Sequence, residues 1–350
     1  MEVKNVNPFD ITFGKQPTKF IERPEIHEEI LTSLYSGKQT IYILTGARGS
    51  GKTVALTTIA NEIKKESNWI IIDLNPLEDL LEQLAASLYQ KGKLNKLFID
   101  KEFSFSFKGI SFSISGKNPV TNIFNLIALM LEYLKKKKIY VLLTIDEVTN
   151  NEYMRVFAHS FQSFIRSDYN ISVIMTGLYD NISNLENEKT LTFLYRAPKI
   201  QLMPLSLRSI AYSYINQLNM EEDDAIEAAK ITKGYAFAYQ LLGYILFKND
   251  KRHVDKSVLQ ELDLLLDERA YSKIWSELTN REKEIVSSIA NNKTSNKELL
   301  EALNMKSNSL SSYKISLSKK GIIDVSQRGV VSFMLPRFKE FIKFNEKFEW

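Results

Sequence analysis

One stretch constrains this chain more than any other. Thr40-Ile41-Tyr42-Ile43-Leu44-Thr45 is a mostly apolar run that leads directly into Gly46-Ala47-Arg48-Gly49-Ser50-Gly51-Lys52-Thr53. A helix-forming run, Val54-Ala55-Leu56-Thr57-Thr58-Ile59-Ala60, follows at once. Gly-x-x-x-x-Gly-Lys-Thr between a strand and a helix is the pattern of a phosphate-binding loop. The chemistry explains the residue types. Gly46, Gly49 and Gly51 let the backbone curl so that successive N–H groups point at phosphate oxygens. The helix N-terminus adds its positive dipole end. Lys52 is expected to reach the β- and γ-phosphates, and the Thr53 hydroxyl to ligate Mg²⁺. Ala47, Arg48, Ser50 and Val54 complete the expected binding set, with the Arg48 side chain at a variable position and expected to face solvent.

The chain on either side predicts an α/β domain. Residues 1–20 read as an extended lead-in, from the turn signals Asn7-Pro8-Phe9 and Phe13-Gly14-Lys15-Gln16-Pro17. A helix begins near Pro24. Strands are expected at 69–74, 139–145, 171–177 and 200–203, with helices at 77–90, 122–134 and 154–166 between them. This alternation predicts a parallel sheet with helices on both faces over residues 21–205. One insertion breaks the pattern. Phe103-Ser104-Phe105-Ser106-Phe107 and Ile110-Ser111-Phe112-Ser113-Ile114 alternate strictly about Lys108-Gly109. A two-residue loop pairs Phe107 with Ile110, Phe105 with Phe112 and Phe103 with Ile114, so this piece (103–114) reads as a β-hairpin with one apolar face. That face packs on the domain's own core or forms a partner contact.

Residues 206–272 turn all-helical, with helices at 207–218, 223–231, 237–247 and 254–270. Residues 273–350 give helices at 282–290, 295–303 and 307–319, then short strands at 322–325 and 330–334, then a terminal helix at 335–348. Three helices followed by a hairpin is the layout of a winged helix.

Composition narrows the function. The 350-residue chain has no cysteine, which excludes disulfides, thiolate metal sites and cysteine nucleophiles together. His27, His159 and His253 have no ligand spacing. No apolar run is long enough to span a membrane, and the first residues lack a signal-peptide pattern, so a cytoplasmic protein is expected. The net charge is +4, unevenly spread: residues 273–350 carry 14 Lys and Arg against 9 Asp and Glu. That surplus suits nucleic acid without requiring it.

Further candidates fall where strands end. Ile139 to Ile145 is an apolar run closed by Asp146-Glu147. There Asp146 can hold Mg²⁺ and Glu147 can orient or deprotonate the attacking water. Thr176 ends the next strand, where its hydroxyl either contacts the γ-phosphate or caps the strand. Asn75 either orients Glu147 or forms a turn. Arg196, just before the last strand, either reaches a neighbouring subunit's γ-phosphate or forms a surface ion pair. In the winged-helix region, Lys306, Ser307, Asn308, Ser309, Ser311, Ser312, Lys314, Lys319, Lys320 and Arg328 suit groove and phosphate contacts; docking on protein is the alternative.

These residues resemble the AAA+ group of P-loop ATPases, in the clade of archaeal ATPases and replication initiators. The likeness rests on Asn7-Pro8-Phe9 with Phe13-Gly14, the loop at 46–53, Thr144-Ile145-Asp146-Glu147, Met175-Thr176-Gly177, Arg196-Ala197, and the helical lid followed by a winged helix. It implies ATP or ADP with Mg²⁺, and base binding by Arg23 and its neighbours in Ile21-Glu22-Arg23. Residues 233–240 offer no lid arginine, and Ala236 stands where related signalling ATPases often have Pro; this implies slow or partner-stimulated hydrolysis. The expected whole is an ATPase whose nucleotide state sets the lid, and whose lid sets a winged helix on double-stranded DNA. The rival is a signalling or scaffold ATPase that forms homo-oligomers on ATP and docks protein.

Overall fold

The computed structural model describes residues 6–12, 17–38, 40–91, 94, 101–107, 110–114, 118–119, 122–188 and 191–347; the side chains of 101–119 and 192–193 fall outside the description. The expected Phe13-Gly14 signal and the Lys108-Gly109 turn therefore lie outside the described residues. The chain packs into two compact units. One holds Pro24–Thr45 and Lys52–Gln201; the other holds Met1–Arg23, Gly46–Gly51 and Leu202–Trp350.

The first unit is the α/β one. In chain order it contains α1 (Pro24–Tyr35), β1 (Ile41–Thr45), α2 (Lys52–Ile63), β2 (Trp69–Leu74), α3 (Leu80–Lys91), β3 (Lys101–Phe107), β4 (Ile110–Ile114) and β5 (Asn118–Pro119). Then come α4 (Ile123–Lys136), β6 (Tyr140–Ile145), α5 (Glu152–Arg166), β7 (Ile171–Gly177), α6 (Tyr179–Glu186), α7 (Thr192–Tyr195) and β8 (Lys199–Gln201). Among the described residues, the main sheet runs β2-β6-β7-β1-β8 with every pair parallel. A parallel sheet is covered on both faces, so its central strands bury alternate residues on opposite sides. In β1, Ile41 and Ile43 join a core with α3, α4 and α5, while Tyr42 and Leu44 join a second core with α1 and α2.

The hairpin register matches the alternation in the sequence. Phe103 pairs with Ile114, Phe105 with Phe112 and Phe107 with Ile110. A third strand, β5, joins β3 in parallel and was not expected. Helices α6 and α7, both short, were also not expected. Helix α5 starts earlier than the expected residue 154, because the Asn151 side chain caps it by accepting from the Met154 amide.

The second unit is helical. It contains α8 (Leu207–Leu218), α9 (Glu222–Thr232), α10 (Ala236–Lys248), α11 (Lys256–Leu266), a π-helical turn at Asp267–Tyr271, and α12 (Ser272–Ser276). These are followed by α13 (Asn280–Ala290), α14 (Asn296–Leu303), α15 (Ser307–Lys319), β9 (Ile323–Asp324), β10 (Ser332–Phe333) and α16 (Phe338–Asn345). One apolar core runs continuously from α8 to α16. The lead-in docks into it. Phe9 is 2% exposed, packs edge-on against Tyr239, and lies where any side chain on Gly243 would collide with its ring.

Two helices differ from expectation. The helix expected at 254–270 starts at Lys256, because the Asp255 side chain caps it, and ends at Leu266 in the π turn. The terminal helix starts at Phe338 rather than 335. Leu335 precedes a proline, which disfavours helix there, and Arg337 is left-handed at φ 59°.

Beyond α12, three helices are followed by an antiparallel ribbon, with Ile323 opposite Phe333 and Asp324 opposite Ser332. A bridge from Ser295 to Val330 fastens the ribbon to the start of α14. Helix α13 begins with a capping box between Thr279 and Glu282. Glu282 is 2% exposed; it also accepts from Ser316 Oγ on α15 at 3.1 Å and from Lys320 Nζ, just past the end of that helix, at 2.7 Å. No helix among the described residues is long and apolar enough to cross a membrane.

Candidate functional site

The glycine-rich loop belongs to the helical unit through residue 51. Gly49 and Gly51 have φ of 74° and 93°, a region that side chains disfavour, which is why glycine is needed here. Three consecutive carbonyls of the loop are each held by a donor. The Tyr235 hydroxyl donates to the Arg48 carbonyl at 2.6 Å. The Phe237 amide, in the first turn of α10, donates to the Gly49 carbonyl at 3.1 Å. The Arg23 guanidinium donates to the Ser50 carbonyl at 3.1 Å and also to the Met203 carbonyl. Tyr235 is buried, and burial drives its phenol well above the ordinary value, so it remains an O–H donor at any physiological pH.

The loop also meets the C-terminal segment. The Arg48 guanidinium pairs with the Glu277 carboxylate at 2.9 Å, both side chains being about a third exposed. This corrects the expectation that Arg48 faces solvent. Its partner lies far along the chain, between α12 and α13, where local sequence gives no signal. Gly321, after α15, lies so close to Ala47 that an added Cβ would stand 2.9 Å from the Ala47 Cβ.

The α/β unit holds the loop's last two residues and the acidic groups. Lys52 opens α2 and is 8% exposed. The Thr53 hydroxyl donates to Asp146 Oδ2 at 2.7 Å. The other oxygen of Asp146 accepts from the Thr176 hydroxyl. That hydroxyl accepts in turn from the Glu147 amide at 3.1 Å. Thr176 is fully buried, and its hydroxyl is committed to these two acidic residues. Glu147 is exposed and sits at φ 54°. A non-glycine residue in this region carries strain, and such strain collects at functional sites.

Phosphate and Mg²⁺ fit the residues present. Ser50 Oγ is buried without a hydrogen-bond partner among the described residues, an orphan hydroxyl in a loop whose pattern is built for phosphate. The Thr53 hydroxyl and the Asp146 carboxylate are hard oxygen donors side by side. Mg²⁺ typically takes one or two such protein ligands and completes its shell with water and phosphate oxygens.

The remaining candidates are dispersed. Arg196 is exposed, and no hydrogen bond or ion pair engages it among the described residues; its neighbour Tyr195 is 71% exposed. Arg23 spends its guanidinium on backbone carbonyls. Asn75 forms a turn, its side chain accepting from the Leu77 amide. Tyr235, Phe237, Glu277 and Gly321 were not among the expected site residues. Only the first two had a signal, the Gly234 turn that separates two helices.

A family model described as an ATPase domain predominantly from Archaea matches residues 20–234. The chain belongs to this ATPase family. Its parallel β-sheet and glycine-rich loop agree with that family. A second family model, described as a domain of unknown function, matches residues 268–342 of the ATPase. No curated protein matches the chain. Among solved structures it is similar to the ORC2 protein of Aeropyrum pernix. In the ADPNP-ADP complexes the TM-score is 0.57 at 13% identity, covering 97% of this chain and 98% of the other. The ADP form of that protein gives 0.52 at 13%, with the same coverage. CDC6P from Pyrobaculum aerophilum gives 0.49 at 16%, covering 96% of each chain. At these identities the likeness is one of fold.

Proposed function

We propose that this ATPase binds and hydrolyses Mg-ATP, and that its nucleotide state governs binding of duplex DNA by a C-terminal winged helix. The observation that carries this reading is the fixing of the loop's carbonyls within the same compact unit as that segment. Tyr235, the Phe237 amide and Arg23 hold residues 48–50, and Arg48 pairs with Glu277 at the start of the segment. A loop held by its carbonyls keeps its curl before ligand arrives, which lowers the cost of ordering it around phosphate. Any shift of the loop on binding or losing a γ-phosphate acts directly on Tyr235 and Glu277.

Each residue has a role in this reading. Lys52 binds the β- and γ-phosphates, and Ser50 Oγ donates to a phosphate oxygen. Thr53 and Asp146 would hold Mg²⁺, which supplies charge neutralisation on the phosphates when bound. Glu147 orients the attacking water and accepts its proton. Thr176 is a positioning residue, fixing the Asp146 carboxylate and the Glu147 backbone. Arg23 acts on the nucleotide through the loop it holds. The DNA arm draws on the basic surplus after residue 273 and on a helix α15 that carries no acidic residue.

The test is duplex binding by fluorescence anisotropy at low salt, with ATP, with ADP and without nucleotide. Binding that changes with nucleotide, falls steeply with salt, and loses its nucleotide dependence in Lys52→Ala is the expected result. Absence of duplex binding in every state would remove the DNA arm. A second reading is favoured by the exposed Arg196 beside the exposed Tyr195: ATP-dependent self-association, with Arg196 reaching a second copy. Sedimentation with and without a non-hydrolysable ATP analogue, repeated on Arg196→Ala, tests it.

A further inference from the structure

The proposed DNA arm leaves open what the winged helix reads, and the exposed face of α15 addresses that. The helix buries Leu310 and Leu317. On the opposite side, at helical spacing, lie Asn308, Ser311, Ser312, Ile315 and Lys319, all exposed. Their positions fall within a stripe roughly 100° wide at about 100° per residue. Ile315 is 54% exposed at the middle of this stripe, among polar neighbours. A lone branched apolar side chain there has no core to serve.

The rest of the helix does not compete for the stripe. Lys314 points away, donating to the Asn296 side chain at 2.7 Å, and Lys320 is held by Glu282. The helix contains no arginine and no acid. Arginine, the commonest reader of guanine, and carboxylate, the acceptor for cytosine, are therefore both missing from it, and the stripe's one lysine, which could also take guanine, stands at its C-terminal end. What remains matches adenine and thymine. An asparagine amide pairs bidentately with adenine N6 and N7, an apolar side chain packs on the thymine methyl, and serines accommodate any base. In winged and related helix-turn-helix docking, the N-terminal part of this helix meets base edges. Asn308 lies in the first turn. Ile315 follows two turns later, about 10 Å along the axis, or roughly three base steps. Lys319 lies about 6 Å further on, at the helix C-terminus, where a cation meets backbone phosphate.

We propose that α15 reads A·T pairs in the major groove, Asn308 on an adenine and Ile315 on a thymine methyl about three base pairs away. This rests on the DNA reading above. The experiment measures the full chain against equal-length duplexes, one A·T-rich and one G·C-rich, at fixed salt. The expected result is a preference of roughly tenfold or more for the A·T-rich duplex. Asn308→Ala should remove most of that preference, and Ile315→Ser a smaller part. Lys319→Gln should weaken both duplexes alike and flatten the salt dependence by about one charge.

Substituting deoxyuridine for thymidine removes the methyl without touching the protein. It should weaken wild type and leave Ile315→Ser unchanged, so a misfolded variant cannot imitate the result. Duplex binding without A·T preference, or a preference that survives Asn308→Ala and ignores deoxyuridine, overturns this inference while leaving the DNA reading intact. No duplex binding at all overturns the DNA reading instead and points to a protein partner for the same face.

Discussion

Gly46–Gly51 and the two residues that follow are continuous in the chain, yet they are held by different means. Residues 46–51 pack within the helical unit, and their contacts are made largely by backbone: the carbonyls of Arg48, Gly49 and Ser50 each accept a bond. Thr53 belongs to the parallel-sheet unit, and its contact is side chain to side chain, hydroxyl to the Asp146 carboxylate. Backbone contacts fix the shape of the loop whatever side chains it carries. Side-chain contacts place the atoms that do chemistry. The contrast implies a division of labour. Changes in the sheet unit should alter turnover, and changes around residues 46–51 should alter affinity and the response of the C-terminal segment.

The strongest break is expected at Glu147. Glu147→Gln keeps the strand, the loop and the ATP contacts but removes the proton acceptor. Turnover should fall by about 10²- to 10⁴-fold, with equilibrium binding of a fluorescent ATP analogue retained. If hydrolysis is unchanged, the acid pair at the end of β6 does not run the chemistry, and the division fails on its catalytic side.

The next effect belongs to the helical unit. Glu282 is buried between α13 and α15. Burial alone would raise its carboxyl, but the bonds from Lys320, the Thr279 amide and Ser316 outweigh this and hold it below the usual carboxylate range. A depressed folded pKa stabilises fully above the unfolded value of about 4.3, and that stabilisation is lost as pH falls through the folded value. Wild type should therefore lose stability on acidification below about pH 4.3 through this group. Glu282→Gln should cost about 3 kcal/mol at pH 7 and lack that component of the pH dependence. Thermal unfolding from pH 7 to pH 3 compares the two, and ATP turnover in the folded variant should stay near wild type.

What was legible in the sequence followed from local rules. The phosphate loop, the acids ending β6 and the parallel sheet all came from apolar runs closed by polar residues. The hairpin register came from strict alternation, since a slip of one residue would put Phe105 on the wrong face. Helix α15 was read to its ends, with Leu310 and Leu317 giving its buried side. The failures lie where a distant residue decides. Arg48 and Glu277 are 229 residues apart, and no composition or spacing announces their pairing. The Tyr235 hydroxyl could be suspected of a role near its glycine turn, but not assigned to a loop carbonyl. Thr176 was placed at the correct strand end, yet its commitment to Asp146 and Glu147 depends on side-chain directions that a strand pattern leaves free.

Gly49→Ala sharpens the comparison on the loop side. The new Cβ would stand 2.5 Å from the Tyr235 hydroxyl and 2.9 Å from the Phe237 Cβ, at a φ that disfavours any side chain. The left-handed conformation alone costs about 1–2 kcal/mol, so ATP affinity should drop roughly tenfold or more. Tyr235→Phe alone removes one hydrogen bond, worth about 1 kcal/mol, and should weaken ATP roughly fivefold without changing the rate at saturation. In the double variant the hydroxyl that clashes is gone. The two losses should therefore be less than additive in an isothermal-titration cycle. Full additivity would mean that the Tyr235 hydroxyl does not meet the loop.

The smallest effect carries the most information about coupling. Arg48 and Glu277 are each about a third exposed, so their pair should contribute no more than about 1 kcal/mol and should weaken as salt rises. Glu277→Gln should leave hydrolysis unchanged, because it touches neither Lys52 nor the acids at the end of β6. It should also leave duplex affinity unchanged in the absence of nucleotide. What it should reduce is the difference in duplex affinity between the ATP and ADP states, by up to about fivefold at low salt and by less at high salt. The reversed pair, Arg48→Glu with Glu277→Arg, should restore part of that difference. An ATP-to-ADP difference that survives Glu277→Gln at low salt would mean that the loop signals through Tyr235 and α10 alone, and the comparison would then rest on backbone contacts without any contribution from charge.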